Sequence, residues 1–383
     1  MRKRWISICL AITVIASFFA FPAGAAEVEI SAPSAILIDA ATGTVLYEQN
    51  ADERLAPASV TKVMTLLLVM EALDSGKIGW EDTVTASENA AAKGGSQVYL
   101  EVGEQMCMDD MLKSVVVSSA NDCATALAEY VAGSESAFVE LMNARAAELG
   151  MTNTTFVNCT GLDDGENADQ HLTTARDIAL MSRELLTHEE IRKYTTIWMD
   201  TVRGGSFGLS NTNKLVRFYD GTTGLKTGFT SGAGYCLSAS AKRNGIELIA
   251  VVMHCQSSSD RFASAKALLD YGFANYALVT PDLDITLAPI PVSLGTEETV
   301  TPVLSDPTPI LVEKGVQASV TRTVVTEESL TAPVAEGQQV GTLTVEANGE
   351  VLKEIPLVTP HAVDRLTYGD ILLRLLRTVC MGK

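Results

Sequence analysis

The chain has 383 residues, 47% of them hydrophobic, and a formal net charge of −19 at pH 7. That length accommodates two domains, and the acidic balance argues against nucleic acid as a partner, which asks for a basic surface. Four scattered histidines and the lack of any C-x-x-C pair argue against a metal cluster, a Ser-His-Asp triad and thioredoxin-type chemistry.

Residues 1–25 read as a secretory signal. Arg2, Lys3 and Arg4 supply the positive start, an apolar run spans Trp5 to Phe21, and Ala23-Gly24-Ala25 is a small-residue cleavage site. The cleavage site favours removal over a retained anchor. Removal would take the net charge to about −22 and leave no other span long enough to cross a bilayer. It would also remove Cys9 and leave Cys107, Cys123, Cys159, Cys236, Cys255 and Cys380. An exported protein could form disulfides, but the irregular spacings and apolar surroundings predict buried free thiols instead.

Two strands are expected within 34–50, turning at Ala41-Thr42-Gly43. Helices follow over Pro57–Leu73, over Met111–Ala132 with a break at Ser118-Ser119-Ala120-Asn121, over Ser136–Leu149 and over Thr174–Leu186. Strands at Tyr235–Ala241 and Ile246–His254 flank the turn signal Arg243-Asn244-Gly245, and Arg261–Tyr271 reads as a helix. Strands at both ends with helices between them predict an α+β domain: one antiparallel sheet built from both ends of the segment. From Val279-Thr280-Pro281 onward Val, Thr and Pro dominate. Asp284–Leu287, Ser319–Val324 and Gly341–Ala347 read as strands of a small all-β domain, a spacer or interaction module. Helical character returns from Arg365. Asp370, Arg374 and Arg377 share one face, while Leu366, Leu372, Leu373, Leu376 and Val379 cover much of the other. This predicts an amphipathic helix lying in a membrane interface, the alternative being a helix docked on its own domain. The expected divisions are 1–25, 26–277, 278–360 and 361–383.

Three short motifs carry the chemistry: Ser59-Val60-Thr61-Lys62, Ser119-Ala120-Asn121 and Lys226-Thr227-Gly228. A serine hydroxyl needs a base beside it. Ser59 and Lys62 stand three apart at a helix start, which puts them on one face. Lys62 must be depressed to act as a base, by burial or by a nearby cation such as Lys226. Ser119 offers a proton relay and Asn121 a hold on a substrate amide. Lys226 and Thr227 suit a carboxylate, and Gly228 allows close backbone approach. Each motif alone reads as an ordinary helix cap or an exposed lysine. Their order and combination point to serine acyl transfer without histidine.

With these motifs the sequence resembles the secreted D-alanyl-D-alanine carboxypeptidases, the low-molecular-mass penicillin-binding proteins. The likeness runs closely over about residues 30–275. It includes Pro57-Ala58-Ser59, Gly94-Gly95-Ser96, Ala120-Asn121-Asp122, Gly161-Leu162-Asp163, Ala175-Arg176-Asp177, Leu225-Lys226-Thr227-Gly228 and Leu268-Leu269-Asp270-Tyr271-Gly272-Phe273. The resemblance implies a β-lactamase/transpeptidase-like fold, followed by a small all-β domain and a C-terminal amphipathic helix. It implies an acyl-enzyme on Ser59, formed from peptidoglycan stem peptides or from β-lactams, with Lys62 as base and Ser119 and Asn121 completing the relay. Lys226 and Thr227 would hold the terminal carboxylate, and the N–H groups of Ser59 and Phe229 would hold the oxyanion. No metal or organic cofactor is implied. The place implied is the outer face of the cytoplasmic membrane or the cell wall. Two departures stand out: Phe229 where some members carry histidine, and Gln256 where some carry a carboxylate-binding arginine.

The rivals are a serine β-lactamase, a D,D-endopeptidase and a catalytically silent wall-binding protein. Glu166 lies before Lys226 as a deacylating glutamate would, but without the expected spacing. A silent protein would have lost a motif residue, and all are present.

Overall fold

The computed structural model describes residues 28–163, 167–282 and 285–381. The expected signal segment and Glu166 lie outside the described residues.

Strand β1 (Ser34–Asp39) is buried along its whole length, and β2 (Val45–Gln49) returns beside it. Asp39 closes the turn between them by accepting from the Thr42 amide and hydroxyl at 2.8 Å, and Gly43 takes the left-handed conformation the reversal needs. A 3₁₀ turn (Ala58–Thr61) then runs straight into helix α1 (Lys62–Asp74). Apolar residues occupy all sides of α1, so it lies inside the domain rather than on it.

Helix α2 (Met108–Val117) packs on α3 (Asn121–Ala132), and α3, α4 (Glu135–Glu148) and α5 (Ala175–Leu185) pack around α1. Ser134 and Thr174 start α4 and α5 by accepting the amides of Ala137 and Asp177. The sheet is completed by β3 (Thr222–Thr230), β4 (Gly234–Arg243) and β5 (Ile246–Cys255), and α6 (Ser258–Asn275) covers its back. Strand order is β2-β1-β5-β4-β3, antiparallel throughout.

The two-residue period of the strands sorts the core. Ile36, Ile38, Ile249, Val251 and Met253 face the helical block. Leu37, Leu248, Ala250 and Val252 face Leu268 and Leu269 of α6. With both faces covered, these strands read as continuous apolar runs.

Past α6, Tyr276–Val279 pairs antiparallel with Ile310–Glu313, joining the β-rich region to the end of α6. That region holds a three-stranded sheet (Ile290–Ser293, Thr299–Val300, Leu330–Thr331) and a four-stranded one (Val303–Leu304, Val320–Thr326, Gln339–Ala347, Glu350–Val358). Two expected strands are present here and the third is not. Of the strand expected at 284–287, Asp284 lies outside the described residues and 285–287 form no ladder; Ile285 and Leu287 instead rest on the small core of Leu343, Val345, Ile355 and Leu357. Their alternation serves packing of an extended segment.

Helix α7 (Tyr368–Met381) closes the described chain. Arg374 donates to the carbonyls of Gly295 and Thr296, while Leu372, Leu373, Leu375, Leu376 and Val379 are exposed. Among the described residues no helix is long and apolar enough to cross a membrane. All six described cysteines are free. Cys123, Cys159, Cys236 and Cys255 are buried as expected, but Cys107 and Cys380 are exposed, because Cys107 ends a short edge strand and Cys380 lies on α7.

Candidate active site

The three motifs converge where α1 begins, where α3 begins and along β3. Ser59 lies in the 3₁₀ turn and Lys62 is the first residue of α1, so one turn of backbone carries both. Lys62 Nζ donates to Ser59 Oγ at 3.0 Å, to the Thr160 carbonyl at 2.8 Å and to Asn121 Oδ1. The lysine is wholly buried. Burial holds its pKa down to about 7, partly offset by neighbouring Cys159 and Asp122. The expectation named either burial or the charge of Lys226 as the cause, and burial leads.

The residue before Ser59, Ala58, has φ +47°, in the left-handed region where a Cβ is strained. Two contacts hold it there. Its carbonyl accepts from Thr61 Oγ1 at 2.8 Å. The same carbonyl lies against Gly161, where an added Cβ would come within 1.8 Å of it.

Ser119 and Asn121 flank the start of α3. Ser119 is left-handed at φ +64°, which turns its hydroxyl toward β3. Asn121 is used at both ends of its amide: Oδ1 on Lys62, and Nδ2 donating to the Gly94 carbonyl at 2.7 Å. Asp122, the next residue, anchors the facing loop by accepting the amides of Val98 and Leu100.

On β3, Lys226 is buried and donates to Ser119 Oγ at 2.9 Å and to the Thr227 carbonyl at 3.0 Å. Its pKa is pushed well below the usual lysine range, first by burial and then by the charges of Lys62 and Arg261. Thr227 donates to the hydroxyl of Thr212 at 2.7 Å. Gly228 has a reason within the protein itself. A Cβ there would meet the Pro57 carbonyl at 2.6 Å and the Ser59 amide at 3.1 Å, so glycine lets β3 lie against the turn that carries Ser59. Phe229 is 53% exposed and stacks at 4.3 Å on Tyr235.

Gln256 brings no guanidinium to the site, but one reaches β3 from the helix behind the sheet. Arg261, on the first turns of α6, is buried. It donates to the Gly228 carbonyl at 3.0 Å and the Cys236 carbonyl at 3.3 Å. Its Nε is the one buried side-chain polar atom without a partner among the described residues. Sequence reasoning also missed Thr160, Gly94, Thr212 and His171. Two of these act through backbone carbonyls, which no side-chain pattern reveals. His171 Nε2 lies 2.7 Å from Thr61 Oγ1, and its Nδ1 accepts the Val157 amide at 3.1 Å.

The arrangement supplies a hydroxyl beside an amine that is about half neutral at pH 7, a second hydroxyl bonded to a second buried lysine, and a strand edge with Arg261 behind it. Such a site can transfer an acyl group from a substrate ending in a carboxylate.

Comparison with known proteins follows the same division. Residues 21–257 match the profile of the family described as D-alanyl-D-alanine carboxypeptidase, and residues 284–365 match that of the penicillin-binding protein 5 C-terminal domain. The D-alanyl-D-alanine carboxypeptidase DacF of Bacillus subtilis is 42% identical over 355 residues, covering 91% of this chain and 90% of DacF. DacC of Escherichia coli is 38% identical, covering 90% and 89%. Among solved structures, penicillin-binding protein 5 of Haemophilus influenzae is similar with a TM-score of 0.72 at 31% identity, covering 88% of this chain and 98% of that one. Penicillin-binding protein D2 of Listeria monocytogenes, solved in an ampicillin-bound form, has a TM-score of 0.59 at 32% identity, covering 64% and 99%.

Proposed function

On the premise that this chain belongs to the D-alanyl-D-alanine carboxypeptidase family, we propose that it removes the terminal D-alanine of peptidoglycan stem pentapeptides through an acyl-enzyme on Ser59. It is a serine peptidase, a hydrolase of the penicillin-binding type.

The observation that carries the roles is the 3.0 Å contact of Ser59 Oγ with a buried Lys62 whose pKa lies at about 7. Neutral Lys62 takes the Ser59 proton as Oγ attacks the carbonyl carbon of the D-Ala-D-Ala bond. The amides of Ser59 and Phe229 receive the developing oxyanion. As the bond breaks, the proton passes to the departing D-alanine amine, with Ser119 as relay. Water then hydrolyses the ester and restores Ser59. Lys226, with Thr227, draws the substrate's terminal carboxylate to β3, and Arg261 adds positive charge behind that strand. A β-lactam would acylate the same Ser59.

The working divisions are the catalytic domain at 26–277, the β-rich domain at 278–360 and the terminal segment at 361–383. The leader at 1–25 would direct export. The exposed leucines of α7 support a membrane-surface contact that keeps the enzyme at the outer face of the cytoplasmic membrane.

The decisive assay is D-alanine release from a peptide ending in D-Ala-D-Ala, with the Ser59→Ala variant alongside. Release that vanishes in the variant supports the reading; release that persists removes Ser59 from its role. Failure of both proteins to release D-alanine would sink the carboxypeptidase assignment.

A further inference from the structure

The turn that presents Ser59 is held by a chain of hydrogen bonds whose direction can be read atom by atom. The Val157 amide can only donate, so His171 Nδ1 is its acceptor and carries no proton. A neutral imidazole then has its proton on Nε2. Thr61 Oγ1 gives its own proton to the Ala58 carbonyl at 2.8 Å, so it accepts from His171 Nε2–H at 2.7 Å. One tautomer satisfies every bond. The chain ends on the carbonyl of Ala58, the strained left-handed residue that immediately precedes Ser59. The backbone bridge between Thr155 and Leu172 sets the two strands of this loop in register and brings the Val157 amide to the ring. The ring also meets Phe156 edge-on at 5.7 Å.

We propose that His171 is a positioning residue for the acylation step: through Thr61 its neutral Nε2–H tautomer fixes the Ala58 carbonyl and so aims Ser59 Oγ at Lys62. The proposal rests on Ser59 as nucleophile. His171 touches neither the nucleophile nor Lys62 by a hydrogen bond; it acts at one remove.

The surroundings keep the ring in this state. His171 is buried, and its pKa is held down at about 4, by burial first and by the charge of Lys62 second. Lys62 is the charged group acting on it among the described residues; the Phe156 ring, the Val157 amide and the Thr61 hydroxyl supply its other contacts. A proton on Nδ1 would face the Val157 N–H, donor against donor, and break the chain at its origin.

The test is the rate constant for acylation by ampicillin at pH 8, measured on the full chain with thermal midpoints in parallel. His171→Phe keeps the ring volume and loses both polar atoms, so acylation should fall about 10- to 100-fold, the scale on which a misplacement of up to about 1 Å acts. His171→Gln, whose amide can donate to Thr61, should recover most of the rate. Thr61→Val should match His171→Phe, and the double variant should be no slower than either single one, because both cut one chain. Multiplying losses in the double variant would overturn the linkage. A wild-type rate in His171→Phe with only a lowered midpoint would reduce His171 to a fold-stabilising residue and overturn the proposal. Should His171→Phe fail to fold, the Thr61→Val and His171→Gln pair decides: equal losses in both overturn it, and loss in the first with recovery in the second sustains it. Ser59→Ala separates the two claims, since an adduct in that variant would remove the nucleophile and this proposal together, whereas its absence leaves the His171 arms to stand alone.

Discussion

Lys226 Nζ donates to Ser119 Oγ at 2.9 Å, a bond between residues 107 positions apart that ties β3 to the start of α3 across the cleft. It orients the Ser119 hydroxyl and leaves that hydroxyl's own proton free to donate into the cleft. Replacing Lys226 by methionine should keep the volume, free Ser119 to rotate and remove the positive charge. Loss of D-alanine release of about 10²- to 10³-fold is expected, the scale seen when one preorganised electrostatic contact is removed. Steady-state kinetics on a D-Ala-D-Ala peptide checks it, and unchanged kinetics would deny Lys226 both roles.

Acylation should rise with pH through a midpoint near 7. Below that value Lys62 carries a proton and cannot take another from Ser59; above it the free amine is the major form. Rates of ampicillin acylation from pH 5 to 9 would show the limb. Lys62→Ala should cost about 10²- to 10⁴-fold and lose it.

Stability should fall in mild acid for a separate reason. His171 has a folded pKa of about 4 against the usual 6.5. The unfolded chain therefore takes up its proton first, and stability that is complete above 6.5 drains away as pH falls toward 4. The loss is on the order of 3 kcal/mol. Denaturant unfolding at pH 7 and pH 4.5 should show a smaller difference in His171→Phe than in the parent.

Gly161→Ala should be severe. The new Cβ would collide with the Ala58 carbonyl at 1.8 Å, and φ +81° already disfavours a side chain. A cost of about 2 kcal/mol or more is expected. Ampicillin labelling should suffer more than the thermal midpoint, because the displaced atom belongs to the turn that carries Ser59.

Deleting the chain after Thr367 removes α7 with its exposed leucines. Co-sedimentation with vesicles containing anionic lipid should then fall to background, while hydrolysis of a soluble peptide is unchanged. Equal sedimentation of both forms would assign membrane contact elsewhere or to nothing.

The fold of the catalytic domain was legible because its signals are local. Strand runs, the Arg243-Asn244-Gly245 turn and the helical periodicities each lie within a short window, and the Ser119 break separates α2 from α3 where the polar residues interrupt the apolar run. The three motifs were legible because side-chain chemistry names them. What escaped depends on tertiary approach. The carbonyls of Gly94 and Thr160 have no letter of their own. Arg261 sits five residues past Gln256, and only the first turn of α6 brings it back under β3. At 285–287 alternation promised a strand, but no neighbour offers a ladder.

The pairing of β1 with β5 sets an order on the making of the enzyme. Ser34 meets Met253 and Asp39 meets Leu248, so the first strand has no central neighbour until residues 246–255 exist. Closing a loop of this length is slow compared with forming its helices. Residue 59 is made early, yet the lysine that faces its cleft lies at 226, on the edge strand that is added against it. A growing chain therefore carries Ser59 for most of its synthesis without a site around it, and becomes reactive only when the last central strand arrives.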